Sequence, residues 1–263
     1  MSEIFYQTYG HGEIPVLMIH GWASSHIMWR SVYPHLHNAT CTALDLPGFG
    51  RSPVGDSTLT IDAHVETVLQ FIEQHGTPQM IIAHSMGGLI TLEALRQHPE
   101  IAQQLVLICP VVTGKFGLLG GIPSEIIRFD FAQQALRATQ NLWTMIQNQY
   151  LLNVTVPLIH TNPQLADQVK QNFLATDAQA GIEALISMTR HNTVPHLPQI
   201  TQDTLICASE GDTTVPYSEA CTASRHMPNA EIAVFQQSRH HPMDEESELF
   251  VPILRAFVSR FGL

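Results

Sequence analysis

The 263-residue sequence is short of basic residues, of charge in general and of long apolar runs. Lysine and arginine number 12 against 23 aspartates and glutamates, which gives a formal net charge of −11 at pH 7. Nucleic-acid binding needs cations to neutralise phosphates, so this balance argues against a nucleic-acid partner. No apolar run reaches the roughly 18 residues that a membrane-spanning helix needs. We therefore expect neither a nucleic-acid-binding protein nor a membrane span.

Cysteine is also scarce, with four residues in the chain. Cys41, Cys109 and Cys207 fall in predicted strands and Cys221 in a predicted helix, and their spacings match no zinc-binding pattern. We therefore expect these cysteines to act as small buried hydrophobic residues in a reducing compartment, and to form no disulfide and bind no metal. The N-terminal residues lack the basic start and apolar core of a signal peptide. These features predict a cytoplasmic protein.

What the sequence does contain is a strand–turn–helix segment with a serine at its apex. Residues 80–83 form an apolar run of strand character, and residues 89–97 have helical character. Between them lies Ser85, with Ala83 two positions before it and Gly87 two positions after it. A nucleophile elbow needs small residues there, because the strand and the helix pass close to each other. The usual first residue is glycine, so this match alone is equally compatible with an ordinary serine at a helix start.

Around this segment the chain alternates strands with helices. Strands are predicted at residues 4–8, 15–20, 40–46, 80–83, 104–112, 203–208 and 231–235. Helices are predicted at residues 25–36, 61–75, 89–97, 217–225 and 245–261. Thr60 can cap the helix that begins at residue 61, and Gly76 can end it. The alternation predicts a mostly parallel central sheet with right-handed crossovers and helices on both faces.

The alternation stops between residues 113 and 198. Four helices are predicted there in succession, at residues 124–141, 142–151, 162–175 and 178–190. The segment holds five basic and five acidic residues, so it is neutral and the whole net charge falls on the rest of the chain. We interpret residues 113–198 as a helical cap, inserted into a core made of residues 1–112 and 199–263.

Three polar residues at predicted strand ends could form a catalytic site. A serine nucleophile needs a base, a residue that orients the base, and donors for the oxyanion. Asp212 and His240 follow the last two predicted strands, and the carboxyl ends of parallel strands meet at one edge of a sheet. The order Ser85, Asp212, His240 is that of the triad in α/β-hydrolases. Two alternatives remain open, because His241 adjoins His240 and Glu210 is a second acid near Asp212.

Several segments together resemble the α/β-hydrolase superfamily, over essentially the whole chain outside the predicted cap. They occur in the family's order, at residues 17–22, 45–52, 83–88, 211–216 and 240–245. The resemblance implies an α/β-hydrolase fold with the helical cap inserted after the sixth strand. The first part of the sequence and the loop at Trp22 also resemble those of the pimeloyl-carrier-protein methyl ester esterases of biotin synthesis.

The resemblance also implies a role for each residue of the site. It assigns Ser85 as nucleophile, His240 as base and Asp212 as the residue that orients the base. It places the oxyanion donors on the backbone N–H groups of Trp22 and Met86. Met86 opens a helix, where unpaired N–H groups and the positive end of the helix dipole favour an anion.

Other residues near the site receive supporting roles. Arg239 stands directly before His240, where the family usually has glycine. We expect His20 to fix the oxyanion loop through hydrogen bonds, Asp45 to anchor a loop, and His84 to point away from the cleft. The side chains expected to bind substrate are Trp22, Phe116, Trp143 and His241.

The favoured function is a serine carboxylesterase that hydrolyses a small to medium acyl ester through an acyl-enzyme. A methyl ester of a carrier-bound acyl chain is one such substrate, and no metal or organic cofactor is required. The neutral, aromatic-bearing cap favours an uncharged or weakly charged acyl chain. A C–C bond hydrolase of a ring-fission product would use the same triad, and a non-catalytic hydrolase-fold binding protein is a third hypothesis. The sequence leaves the oligomeric state open.

Overall fold

The computed structural model contains a seven-stranded sheet with helices on both faces. The strands are β1 (Tyr6–Tyr9), β2 (Ile14–Ile19), β3 (Ala39–Leu44), β4 (Met80–His84), β5 (Gln104–Ile108), β6 (Asp203–Ser209) and β7 (Ala230–Phe235). Their order in the sheet is β1-β3-β2-β4-β5-β6-β7, and only the β1–β3 pair is antiparallel. This confirms the mostly parallel sheet and its N-terminal edge strand. The residues that the structure describes are 4–55, 58–117, 124–138, 152–153, 156 and 163–263.

Helices connect most of these strands. They are α1 (Ile61–His75), α2 (Met86–Gln97), α3 (Ser124–Ile127), α4 (Asp130–Ala138), α5 (Pro163–Leu174), α6 (Ala178–Met188), α7 (Tyr217–His226), α8 (Pro242–Glu245) and α9 (Ser247–Val258). α1 begins and ends as predicted: the Thr60 hydroxyl accepts the N–H of Ala63, and Gly76 closes the helix with a φ of 96°. Among the described helices, none has the length and apolar character to cross a bilayer.

Alternate residues of the central strands contribute to two separate hydrophobic cores. Ile81 and Leu107 belong to the core that also contains apolar residues of α1, α2 and α7. Ile82 and Val106 belong to the core on the opposite face, with residues of α9 and of the 3₁₀ turn His26–Ser31. Because both faces are covered, these strands occur in the sequence as continuous apolar runs rather than as alternating patterns.

Two predicted helices differ in the structure. The segment predicted as a helix at residues 25–36 forms two 3₁₀ turns, His26–Ser31 and Tyr33–His35. Pro34 has no N–H for an α-helical hydrogen bond, which is one reason that a longer helix does not form. The helix predicted at residues 245–261 is interrupted at Glu246, which has φ −129° and ψ 45°.

The inserted segment leaves the sheet after β5 and returns before β6. It therefore follows the fifth described strand, which corrects the expectation of an insertion after the sixth. Its two ends are joined, because the N–H and the hydroxyl of Thr193 both donate to the carbonyl of Val112 at 2.9 Å. The buried carboxylate of Glu219 on α7 accepts the N–H groups of Val112 and Thr113. Sequence reasoning did not identify this anchor.

The predicted helices of the insertion correspond in part to the described ones. The helix predicted at residues 124–141 is divided into α3 and α4, and those predicted at 162–175 and 178–190 correspond to α5 and α6. The helix predicted at 142–151 lies outside the described residues. The Ser187 hydroxyl of α6 accepts the N–H of Ile61 at 2.9 Å, which attaches the insertion to the start of α1.

A buried histidine of α1 should make the stability of the protein depend on pH. His64 is 1% exposed, and neither of its ring nitrogens has a hydrogen-bond partner among the described residues. Burial, with His20 nearby, lowers its pKa from 6.5 to about 3. Between these two values the unfolded chain takes up a proton that the folded protein excludes. The free energy of unfolding therefore decreases as the pH falls through this window.

We expect His64→Leu to remove this contribution. Between pH 7 and pH 5, the stability of the wild type should fall by about 2 kcal/mol more than that of the variant. Urea unfolding at both pH values measures the difference. His226→Leu, at an exposed position, is the matched control and should behave as the wild type. Equal pH dependence in wild type and His64→Leu would show that His64 is not the group responsible.

Candidate active site

The strand order reverses direction between β2 and β4. From β2 the chain crosses to β3 on one side, and from β4 it crosses to β5 on the other. In open parallel sheets, ligands bind in the crevice at such a point, beyond the carboxyl ends of the strands. Trp22 follows β2 and Ser85 follows β4, while Asp212 and His240 follow β6 and β7. The topology therefore brings the predicted site residues to one edge of the sheet.

Ser85 occupies a strained turn between β4 and α2. Its backbone has φ 52° and ψ −116°. Residues other than glycine rarely adopt such a positive φ. The turn is held by hydrogen bonds from the Ser85 N–H to the carbonyl of Ile108 and from the Val111 N–H to the carbonyl of Ser85. A Cβ atom on Gly87 would lie 2.3 Å from the carbonyl oxygen of Ile19, so glycine is required there.

Asp212 and His240 form a buried hydrogen-bonded pair. Nδ1 of His240 lies 2.7 Å from Oδ2 of Asp212, and the two side chains are 5% and 2% exposed. Oδ1 of Asp212 accepts the backbone N–H groups of Thr214 and Val215 at 2.8 and 2.9 Å. Both carboxylate oxygens are therefore bonded, which fixes the orientation of the imidazole. Glu210, the alternative acid, is exposed and His240 pairs with Asp212 instead.

Two consecutive glutamates hold the loop that carries His240. Oε2 of Glu245 accepts the backbone N–H groups of Arg239 and His241, at 2.8 and 3.2 Å. Oε2 of Glu246 accepts those of residues 237 and 238, at 2.9 and 2.8 Å. These bonds explain the interruption between α8 and α9. Glu246 lies between the two helices, and its carboxylate turns back to bind the loop. Sequence reasoning missed both anchors.

His84 lines the site, contrary to the expectation that it points away. Its Nε2–H donates to the carbonyl oxygen of His240 at 2.9 Å, and its ring centroid lies 4.5 Å from that of His240 and 5.0 Å from that of His241. The space for the ring exists because residue 21 is glycine: a Cβ atom on Gly21 would lie 2.7 Å from Nδ1 of His84. The three imidazoles thus form one cluster at the sheet edge.

A cavity of about 60 Å³ lies at this edge. Both Ser85 and His240 contribute to its wall, but in the described parts of the chain no hydrogen bond joins the serine hydroxyl to His240. Of the predicted substrate-binding residues, the cavity is lined by Trp22, Phe116 and His241.

Other wall residues come from the insertion or lie outside the description. Trp143, the fourth predicted substrate-binding residue, is outside the described residues. Sequence reasoning missed Asn172 and Phe173 of α5, which also line the cavity. The ring of Phe173 lies 5.3 Å from that of Trp22, and the Trp22 indole N–H donates to the carbonyl of Gly181 in α6 at 2.9 Å. The helical spacing in α5 does not reveal which residues face the sheet edge.

His20 holds the loop after β2, as predicted. Its Nε2 accepts the backbone N–H of Leu46 at 2.9 Å, so the ring proton is on Nδ1, which donates to the carbonyl of Gly21 at 2.7 Å. Burial lowers the pKa of His20 and keeps the ring neutral, although Asp45 is nearby. Met86 is the first residue of α2, so its N–H has no acceptor within the helix.

Asp45 is a loop anchor, as predicted. It is fully buried, and its carboxylate accepts the N–H and the ring Nδ1–H of His26 and the N–H of Arg51. Burial alone would raise its pKa, but hydrogen bonds from His26 and Arg51 and the nearby His20 hold the pKa below its ordinary value. The carboxylate therefore remains ionised while it organises the loop.

One group of potential metal ligands lies among the described residues. Ligand atoms of Cys109, Asp212 and His240 all lie within 4.8 Å of one another. Burial, together with the Asp212 carboxylate, raises the pKa of the Cys109 thiol well above its ordinary value. A metal binds the thiolate, so the protonated thiol is a poor ligand. The four cysteines of the chain are free thiols.

The fold agrees with a comparison to protein families. A sequence model of the alpha/beta hydrolase fold matches residues 14–247, and the chain belongs to this family. A curated relative, the pimeloyl-acyl-carrier protein methyl ester esterase of Klebsiella pneumoniae (strain 342), is 33% identical over 110 residues. That alignment covers 41% of this chain and 41% of the relative's length.

Solved structures show the same fold. An esterase, EaEST, from Exiguobacterium antarcticum has a TM-score of 0.81 at 20% identity and covers 97% of this chain and 95% of its own. A bromoperoxidase from Bacillus anthracis has a TM-score of 0.81 at 18% identity with the same coverage. At 20% and 18% identity, these likenesses show the fold. Because differently named enzymes share the fold, the fold alone does not determine the substrate.

Replacement of His20 should destabilise the protein. His20→Ala leaves the Leu46 N–H and the Gly21 carbonyl without their buried partner, and we expect a loss of about 2–4 kcal/mol in the free energy of unfolding. Urea unfolding at pH 7 measures the change. His98→Ala, at an exposed position, is the control and should change stability by less than about 0.5 kcal/mol. An equally small loss for His20→Ala would exclude a structural role for this imidazole.

Proposed function

We propose that the protein is a serine carboxylesterase that hydrolyses a small to medium acyl ester through an acyl-enzyme. The observation that carries this proposal is the buried Asp212–His240 hydrogen bond, at a cavity that also contains Ser85 in a strained turn. A nucleophile, a base and an orienting carboxylate are the groups that acyl transfer requires. The esterase names among the relatives support the same reaction class.

In the proposed mechanism, Oγ of Ser85 attacks the ester carbonyl while Nε2 of His240 takes the hydroxyl proton. Asp212 holds Nδ1–H and stabilises the imidazolium. The oxyanion accepts hydrogen bonds from the backbone N–H groups of Trp22 and Met86. His240 then protonates the alcohol as the ester C–O bond breaks, and water repeats the sequence on the acyl-enzyme. The serine–histidine hydrogen bond often becomes short only when substrate is bound, so its absence here does not oppose this role.

The substrate is proposed to be an uncharged or weakly charged ester. The insertion, residues 113–198, is neutral in sequence and acts in this proposal as a cap over the cavity. A methyl ester on a carrier-bound acyl chain is the specific form that the Klebsiella relative suggests. Three buried thiols are compatible with a reducing cytoplasm. The reaction as written uses no metal or organic cofactor.

Removal of the nucleophile should abolish hydrolysis without unfolding the protein. We expect Ser85→Ala to lower kcat for p-nitrophenyl butyrate by a factor on the order of 10⁴ or more. The wild type should also be labelled by a fluorophosphonate probe, and the variant should not. Circular dichroism serves as the folding control. A folded wild type that neither reacts with the probe nor hydrolyses the ester would instead be a non-catalytic binding protein.

The two adjacent histidines should differ in their effect. His240→Ala should lower kcat on the order of 10⁴-fold, because the base and its carboxylate partner act as a unit. His241→Ala should have a much smaller effect, since the side chain that pairs with Oδ2 of Asp212 is His240, while His241 lines the cavity. The same ester assay measures both variants. A larger loss in His241→Ala would transfer the role of base to that residue.

A comparison of substrates distinguishes the ester from the C–C bond reaction. We expect the wild type to prefer p-nitrophenyl butyrate over a diketone-like product of aromatic ring cleavage. Steady-state kcat/KM for the two compounds measures the preference. Faster turnover of the ring-fission product would identify a C–C bond hydrolase with the same residues.

A further inference from the structure

Asn172 on α5 contributes a side-chain amide to the wall of the candidate active site. The residue is 8% exposed, and its Oδ1 accepts the hydroxyl of Ser25 at 2.9 Å. No partner for its Nδ2 occurs among the described residues, although the side chain lines the cavity at Ser85. A nearly buried amide whose oxygen is already bonded offers its N–H groups to whatever occupies the cavity.

Asn172 also lies where two cavities meet. The cavity at Ser85 adjoins a second one of about 50 Å³, and the residues that line both are Ser24, Val169, Asn172 and His241. On the side of Ser85 the wall is largely apolar and includes Val111, Phe116, Met188 and Val215. The wall of the second cavity is mixed: Arg30, Ser31, Gln168 and Asp244 line it beside the apolar Ile27 and Met28. Asn172 is therefore one of the residues at the boundary between the two cavities.

The charges of the second cavity favour an uncharged polar group. Arg30 supplies a cation and Asp244 an anion, so neither sign of charge predominates. Asp244 is already engaged within the protein, since it accepts the hydroxyl of Ser31. A charged substrate group of either sign would lose hydration there and would meet a like charge, Asp244 or Arg30, as well as an opposite one. An uncharged carbonyl needs only a donor, and Asn172 has one.

We propose that Asn172 determines specificity for esters whose acyl chain carries an uncharged carbonyl a few atoms beyond the reacting one. Its Nδ2–H donates to that second carbonyl oxygen, whether it is the oxygen of a ketone, an amide or a thioester. An ester with a purely apolar chain leaves the N–H unpaired and is hydrolysed less efficiently. This inference rests on the proposed carboxylesterase function and specifies the substrate class of the same site.

A matched pair of esters tests the proposal. p-Nitrophenyl 4-oxopentanoate and p-nitrophenyl pentanoate have the same chain length and leaving group, and they differ by one carbonyl. The measured quantity is the ratio of kcat/KM for the oxo ester to kcat/KM for the plain ester. We expect Asn172→Leu to lower this ratio about tenfold relative to the wild type, the effect of one lost hydrogen bond.

Two further variants separate the amide donor from the contact with Ser25. Asn172→Asp keeps an oxygen for the Ser25 hydroxyl but has no N–H, so it should lower the ratio as Asn172→Leu does. Ser25→Ala removes the same contact and keeps the amide, so it should leave the ratio within about twofold of the wild type. Thermal unfolding establishes that each variant is folded.

The outcomes distinguish this inference from the proposed function. If the wild type hydrolyses both esters and neither Asn172 variant changes the ratio, the specificity role is wrong and the esterase function stands. A fall in the ratio for Ser25→Ala equal to that for Asn172→Asp would also overturn it, because loop position rather than the amide would then be responsible. If the wild type hydrolyses neither ester, the esterase proposal fails and the inference with it.

Discussion

The close approach of α2 to the end of β2 is the constraint on which the rest of the site depends. Gly87 passes so near the carbonyl of Ile19 that a single added carbon would overlap it. This packing forces the chain to reverse within one residue, and Ser85 takes the strained conformation that results. The same packing brings the loop after β2 beside the serine, since a Cβ atom on Gly21 would lie 3.0 Å from that of Ser85.

Carboxylates that are not in the proposed triad organise the loops around this turn. Asp45 holds the segment after β3, Glu219 holds the point where the insertion leaves the core, and Glu245 and Glu246 hold the loop of His240. Each accepts two or more backbone N–H groups or a backbone and a side-chain donor. Loops lack the regular partners that strands and helices provide, so buried and half-buried carboxylates satisfy these donors. The acidic composition of the chain thus has a partly structural origin.

The insertion contributes to the site through its contacts with the loop after β2. The Trp22 indole binds α6, and the Ser25 hydroxyl binds Asn172 of α5. The loop that carries one proposed oxyanion donor is therefore attached to the helices that line the cavity. A change in the position of α5 or α6 would be transmitted to this loop.

By itself the sequence determined the strand–helix alternation, the elbow at Ser85 and the chain order of the proposed triad, because these follow from local apolar runs, small residues and strand ends. Only the tertiary structure decided that Asp212 rather than Glu210 pairs with His240, and that His84 turns into the site. It also decided the 3₁₀ turns and the place of Asn172 in the cavity wall. Such features depend on contacts between residues far apart in the chain, and hydrophobic periodicity carries no information about them.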